Sequence, residues 1–506
     1  TLQSGDRLCL DAGNYPNGLS VYNIAGTASS PITIMGPASG SRAVIVGNAG
    51  ANTVRIGNAS SIILKNLEVN PRNLGGDGVN AETNTHHVTL DNLYIHGCSD
   101  DQQTVGISTN RDITWNWVVR NTIITDCGTG MYLGNSDGNQ QFIAGLIENN
   151  LIYDTIGYNV EIKHQNPYPT NISGLPAGTT KTIIRNNVFS KANNASTGSM
   201  ARPNFLIGHV PLSGPGQDNY YEIYGNFFYQ NPTGEPLFQG EGNYAFYNNI
   251  LFNSVQPAGA SASMLAQPHN DRPRNIRIFS NTVVSPVAGI AVSGGYTTYR
   301  QQVVGNAVFS ASSISASDQQ DNIIDTYANA SNYLNNPFAP LGTKDFFPRA
   351  GRLTGTAINT ATFNTYTDWD RDFNNVQRTN FTYRGAYFGE GTNPGWLPTL
   401  EVKPTAVSPL PSPTPVPTPA PSTKFILNDR VQVSNTVNVR QGAGTSYAIL
   451  GTQAIGSLGT VIGGPVSADG ITWWQVDYDQ SPDGWSSEAR LEKVAAPTPP
   501  PSTLPA

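Results

Sequence analysis

Asn226-Phe227-Phe228-Tyr229, Asn249-Ile250-Leu251-Phe252 and Asn281-Thr282-Val283-Val284 are one phrase stated three times: an asparagine, then three residues of strand character. The same phrase stands at Asn66, Asn92, Asn121, Asn150, Asn187 and Asn306, with tails such as Leu67–Val69, Leu93–Ile95 and Leu151–Tyr153. Successive spacings are 26, 29, 29, 37, 39, 23, 32 and 25 residues. A drifting period of this size, built from short β-prone runs, predicts a solenoid of stacked coils. Gly, Asn and Ser between the runs supply the turns. Asparagine suits such a turn because it tolerates left-handed backbone. Its amide can also bond its equivalents in the coils above and below, forming a ladder. Stacking sets equivalent strands about 4.8 Å apart.

With 506 residues the chain has room for a large core and more than one domain. Only 12% of residues are charged, which suits a solenoid rich in turn residues. A net charge of -7 argues against nucleic acid as the main partner. No apolar run approaches the roughly 18 residues that a membrane span needs. The chain opens in what reads as a strand, so we expect a mature or trimmed form, exported to the cell surface or beyond. Composition changes sharply after Val402, where residues 403–423 alternate Pro with Thr, Ser, Ala and Val. Such a stretch predicts an extended, semi-rigid spacer. A similar tail, 495–506, closes the chain. The predicted organisation is a solenoid over 1–400, a linker over 401–423, a compact module over 424–494, and the tail.

Cys98 and Cys127 each lie six residues after a repeat asparagine, so they occupy equivalent places in neighbouring coils. One coil spacing falls within the reach of a disulfide. A bond and a stacked pair of buried thiols both fit. Cys9 has no obvious partner, and no Cys/His spacing suggests zinc.

The repeat pattern resembles right-handed parallel β-helix proteins of the pectate-lyase-like superfamily, over roughly residues 1–390. Gly5-Asp6 and Gly13-Asn14-Tyr15 look like that family's opening. Lys344–Glu390, with Arg384-Gly385-Ala386-Tyr387, looks like its closing segment. The fold class implied is all-β. The superfamily includes lyases, hydrolases, epimerases, adhesins and structural proteins, so fold alone does not name a function. The module 424–494 carries Val437-Asn438-Val439-Arg440, Gly442, Tyr447, Trp473-Trp474 and Gly484-Trp485, and resembles a bacterial SH3-like domain. That resemblance implies attachment to cell-wall peptides or glycan. Trp474 and Trp485 are its candidate binding residues, one expected in the core and one on the surface.

Aligning the coils on their asparagines sets Val105–Thr109, Met131–Asn135, Val160–His164, Phe205–His209 and Leu237–Glu241 in register. Alternation turns Val160 and Ile162 inward. The next position then reads Ser108, Gly134, Lys163, Gly208, Gly240, and the one after it Thr109, Asn135, His164, His209, Glu241. A long lysine among glycines, beside stacked polar groups, predicts a groove with Lys163, His164, His209 and Glu241 as catalytic candidates. Insertions at 166–180 and 193–203 leave the coil beside this column and would wall a cleft. Glu161, Asn135, Tyr168, Arg202 and Asp218 are the substrate-binding candidates. Glu222, His269, Asp271 and Arg272 fall nearby.

Glu161-Ile162-Lys163 followed by Gly208-His209 resembles the chondroitinase B and alginate-lyase family. There the lysine is the base, an arginine precedes the histidine, and calcium holds the substrate carboxylate. This chain has Gly208 in the arginine's place. Elimination needs a base and a cation to neutralise the uronate. Hydrolysis needs two carboxylates about 5–10 Å apart. Glu161, Asp218, Glu222 and Glu241 are available, with no evident pair. Asp100-Asp101 reads as a solvated turn or a cation site. The expected partner is a polysaccharide or cell-wall glycan, with calcium a candidate cofactor. The competing reading is a non-catalytic adhesin or filament protein, since open coil ends can self-associate.

Overall fold

The computed structural model describes residues 2–404, 424–445, 447–469 and 471–494. The linker 405–423 and the tail 495–506 lie outside the described residues. The chain divides into two compact units, 1–408 and 409–506.

The first unit is a parallel β-helix. Thirty-four strands form one continuous parallel hydrogen-bonded system, each pairing with its equivalent a coil away. Three faces result. The first runs from Arg7–Cys9 through Leu146–Glu148 and Tyr220–Tyr224 to Asp318–Gln320. The second runs from Gly13–Tyr15 through Leu151–Tyr153 and Phe227–Tyr229 to Ile323–Asp325. The third contains Val105–Ser108, Thr129–Leu133, Val160–Ile162, Phe205–Ile207, Phe238–Gly240 and Met264–Ala266. Inward Ile, Val, Leu and Phe from all three faces fill one continuous core.

The asparagines of the repeat fall into two registers. Asn66, Asn92 and Asn121 occupy the left-handed turn position, with φ of 56°, 54° and 53°. From Asn150 onward the repeat asparagine stands one place later, because Ile123 pairs with Leu151. Thr122 therefore holds the place of Asn150 on its coil. Asn149, Asn186 and Asn248 take over the left-handed turn. Asn150, Asn187, Asn226, Asn249, Asn281, Asn306 and Asn322 form a buried ladder, each amide donating to the next at 2.9–3.1 Å. Turn geometry and ladder bonding are thus separate roles on adjacent residues. Asn322 extends the ladder beyond the nine repeats.

Cys98 and Cys127 are disulfide-bonded, with Cα atoms 4.5 Å apart. Cys9 is a free, exposed thiol.

The outer faces of the first two sheets are covered towards the C-terminal end. Tyr224, Tyr247 and Phe279 stack at 4.6–4.8 Å, and Phe363 caps the stack at 4.2 Å from Phe279. On the second face Leu151, Val188, Phe227 and Ile250 pack under Phe346, Phe347, Phe373 and Tyr387. Gly385 approaches so closely that a Cβ would meet Thr282 Oγ1 at 2.7 Å, and Ala386 N–H donates to that hydroxyl. This closing segment leaves the third face free of its two clusters. The third face is where a ligand can lie.

The second unit is a seven-stranded antiparallel sheet in the order Ile449–Gln453, Val437–Arg440, Gly484–Ser487, Ile471–Tyr478, Leu458–Ala468, Arg430–Val433, Leu491–Lys493. Val431, Val439, Val461, Val476 and Trp474 form its core. Among the described residues no helix is long and apolar enough to cross a membrane.

Candidate functional site

The floor of the candidate groove is the outer face of the third sheet. Glu161 points outward between the inward Val160 and Ile162, level with Tyr132 on the previous coil and Leu206 on the next. Lys163 lies one pleat further along the same face. Its ammonium donates to Glu161 Oε1 at 2.7 Å and sits 5.5 Å from the Tyr132 ring centroid. The Lys163 side chain is 15% exposed and that of Glu161 6%. Gly134 and Gly208 flank Lys163: a Cβ on Gly134 would meet Lys163 Cβ at 3.3 Å, and one on Gly208 would strike the His164 backbone at 2.3 Å. The glycines are needed for close stacking, and they leave the lysine as the long side chain of its row.

His164 and His209 stack one coil apart, ring centroids 5.3 Å apart. His209 Nδ1 lies 2.8 Å from the Val210 carbonyl, which makes Nδ1 the protonated nitrogen and leaves Nε2 as an acceptor. His164 Nδ1 pairs with the Asn270 amide at 2.8 Å. Burial, then the neighbouring His209 and Lys163, hold His164 below the usual histidine range, so it is neutral at pH 7.

Glu241 is not a reacting group. Its strand pairs Phe205 with Phe238 rather than with Leu237, which brings Glu241 level with Gly208 and not His209. Leu237 and Phe238 are both fully buried, so alternation could not choose between them. The Glu241 carboxylate is 1% exposed. Its Oε2 accepts the backbone N–H groups of His269, Asn270 and Asp271, and its Oε1 that of His209. It is a clamp that fixes the 269–271 turn and, through Asn270, the His164 ring. The first strand of the column is also displaced: Ile107, not Val105, pairs with Met131.

The other predicted residues separate. Asn135 spends its side chain on the Asn110 carbonyl and the Ser136 N–H, shaping its own turn. Tyr168 is buried with Ile113, Trp115 and Ile143, its hydroxyl between Gln165 and Asn219. It anchors the 166–180 insertion over an apolar corner that would otherwise face water. Asp218 lies at the rim of a separate 430 Å³ cavity between residues 168–179 and 214–219, with none of Lys163, His164 or His209 in its lining. Glu222 is buried on the first face, where Lys181, Tyr247 and Thr367 bond it. Asp101 caps its own turn through the Gln103 N–H. In the second unit Trp474 is core and donates to Glu488 at 2.7 Å, so it offers no binding face. Trp485 is half-buried, and it is Trp473 that lines a surface cavity with Arg440 and Arg490.

One wall of the groove holds Arg202, a predicted substrate-binding residue, together with Glu235 and Lys191, which sequence reasoning missed. Arg202 and Glu235 each stand three residues before a paired phenylalanine, Phe205 and Phe238, on successive coils. The Arg202 guanidinium lies 6.0 Å from the Tyr158 ring and donates to the Ser199 and Ala201 carbonyls. Beneath them Lys191, with no exposed surface, donates to the carbonyls of Gly157 and Arg202 at 2.7 and 2.9 Å. Burial pushes this lysine down to about 7. Burial, then the charge of Glu161, raises the Tyr158 phenol; Arg202 opposes the rise and Glu235 adds to it. The phenol thus feels both carboxylates. Besides the predicted Arg202, the sequence signal here was Lys191 itself, a charge at the end of the buried strand Val188–Ser190.

Calcium on this groove floor would have to displace an ion pair. Glu161 is the floor's carboxylate, and an ammonium already sits on it. Among the described residues no group of three or more His, Cys, Asp or Glu is arranged to hold a metal.

No protein-family profile matches the chain, and no curated protein sequence matches it. Solved structures do. Pectate lyase Pel9A aligns with TM-score 0.41 and 14% identity, over 68% of this chain and 77% of that one. An alginate lyase from Paenibacillus sp. str. FPU-7 aligns with TM-score 0.30 and 20% identity, over 54% and 93%. The mannuronan C-5 epimerase AlgE4 A-module of Azotobacter vinelandii aligns with TM-score 0.38 and 15% identity, over 64% and 88%. These likenesses concern the fold, which the strand pairing establishes independently.

Proposed function

We propose that this is an exported protein whose third-face groove binds an extended polysaccharide and cleaves it by acid–base chemistry on the Glu161–Lys163 floor. The observation that carries the reading is the 2.7 Å ion pair on that floor. Desolvating two charges costs the fold more than an apolar pair of similar size would. An outward-facing pair kept among glycines and tyrosines is therefore better explained by a ligand than by stability. Sugar rings present apolar faces that suit Tyr132 and Tyr158, and hydroxyls that suit Glu161 and His209. The second unit, read as SH3-like, would hold the protein at the cell wall.

The test is a panel of soluble polysaccharides assayed for new reducing ends and for the ultraviolet absorbance of unsaturated uronates, with affinity electrophoresis for binding. Lys163→Ala and Glu161→Gln run beside the parent. Cleavage in the parent, lost in both variants with their circular dichroism unchanged, supports the reading. A parent that neither binds nor cuts any member overturns it. Removal of 424–494 should abolish retention on isolated cell walls while leaving the activity on soluble substrate.

A further inference from the structure

We propose that the outer face of the second unit carries a site for the terminal carboxylate of a peptide, gripped by Arg440 and Arg490; this rests on the wall-retention reading above only for where the peptide comes from. The strand register assembles the site. Arg440 pairs with Trp485, Trp485 with Gln475, and Ser487 with Trp473. Side chains two apart on a strand share a face. Arg440, Trp485, Gln475, Ser487 and Trp473 therefore lie on one side of three neighbouring strands, while Val439, Trp474 and Val476 turn to the core on the other. A cavity of 580 Å³ opens on that outer side, within the size range of small-ligand sites. Arg440, Arg490 and Trp473 all line it.

Arg440 is set in place before any ligand arrives. Its Nη1 donates to the Thr445 and Tyr447 carbonyls at 2.9 and 2.7 Å. Asp469 holds that loop in turn, accepting from the Thr445 N–H and hydroxyl at 2.6 and 2.7 Å. The Nε–Nη2 edge of Arg440 has no partner among the described residues. Such an edge grips a carboxylate with two parallel bonds. The ion pairs of this unit, Arg430 with Asp479 and Lys493 with Asp429, involve neither Arg440 nor Arg490. The one carboxylate in the lining, Glu488, already accepts the Trp474 N–H at 2.7 Å. Charge then selects the ligand. Two guanidinia without a carboxylate partner favour an anion. Residues 424–494 nevertheless carry five Lys and Arg against seven Asp and Glu, so the attraction is confined to this cavity and no polyanion is drawn to the unit as a whole. A single carboxylate suits that balance, and a polymer charged at every unit does not. Ile471 and Trp473 supply an apolar wall, and Thr472 and Ser487 supply hydroxyls for the flanking amides of a peptide end.

The experiment titrates the full chain by calorimetry with three probes: N-acetyl-trialanine as the free acid, the same peptide as its C-terminal amide, and diethyl phosphate as a singly charged phosphodiester. The acid should bind and the amide should not. Arg440→Lys keeps the charge and removes the fork; Arg490→Ala removes no hydrogen bond of the fold, so it stays folded if the first variant does not. Each should weaken the acid about tenfold or more. Arg430→Ala, whose carboxylate partner is Asp479, should leave it unchanged. Equal binding of acid and amide, an Arg490→Ala affinity like the parent's, diethyl phosphate bound in place of the acid, or no binding of the acid overturns the proposal. Retention on isolated cell walls is scored separately. A parent that binds the acid yet is not retained overturns the wall reading alone, and the carboxylate site stands.

Discussion

Replacing Asn226 with alanine tests the ladder at its centre. Four hydrogen bonds end on that side chain. Its Oδ1 accepts the backbone and side-chain N–H groups of Asn187, both at 2.9 Å. Its Nδ2 donates to the Ile184 carbonyl and to Asn249 Oδ1, both at 3.0 Å. All are buried. At about 1 kcal/mol net for each bond the loss is about 4 kcal/mol. The Asn187 amide and the Ile184 carbonyl lose these partners without access to water, which works in the same direction. Asn249 Oδ1 keeps the Asn226 N–H, so the damage stays close to two coils. Urea denaturation with m unchanged, compared with the exposed Asn171→Ala, measures the difference. Exchange of the Asn187 amide locates it, and should accelerate about 100-fold or more. A change under about 1 kcal/mol, or an Asn187 amide as slow as in the parent, would refute the ladder as a source of stability.

Removing the disulfide by Cys98→Ala and Cys127→Ala opens a loop of 29 residues and should cost about 3.5 kcal/mol on the chain-entropy relation; thermal and urea unfolding check it. Glu241→Gln puts an N–H donor where the clamp needs an acceptor, so residues 267–272 should become the first site of limited proteolysis, with cleavage of glycan slowed through weaker binding. Burial lowers His86, His87 and His164 below the usual 6.5, so the unfolded chain binds more protons on the acid side. Stability should be full above pH 6.5 and fall as the pH drops below it, seen as a declining urea midpoint; a midpoint that rises there would contradict the assignment.

Much of the fold was written locally. Short β-prone runs behind Asn and Gly turns demand parallel stacking, since no single coil can bury its own apolar side. The equivalence of Cys98 and Cys127 followed from counting alone. Register was legible where alternation was strict, as at Val160–Ile162 against Phe205–Ile207, and failed where adjacent residues are both buried, as at Leu237-Phe238. The one-residue step between Asn121 and Asn150 escaped for a related reason: asparagine serves both the left-handed turn and the ladder, so residue type did not separate the two positions. The Lys163 row and the neighbouring histidines could be placed from the register of Val160–Ile162 against Phe205–Ile207. What each charge is used for could not. Glu241 is consumed by three backbone N–H groups from a turn almost thirty residues away, and Tyr168 by a corner built from Trp115 and Ile143. Glu235 became visible only once the pairing of Phe205 with Phe238 brought its coil next to that of Arg202. The sequence by itself determined the stacked coil, because turn chemistry and strand preference act within a few residues. Only the tertiary structure decided which polar side chains are consumed by backbone partners and which stay open on the third face, because a charge's role depends on the partners that other coils bring to it.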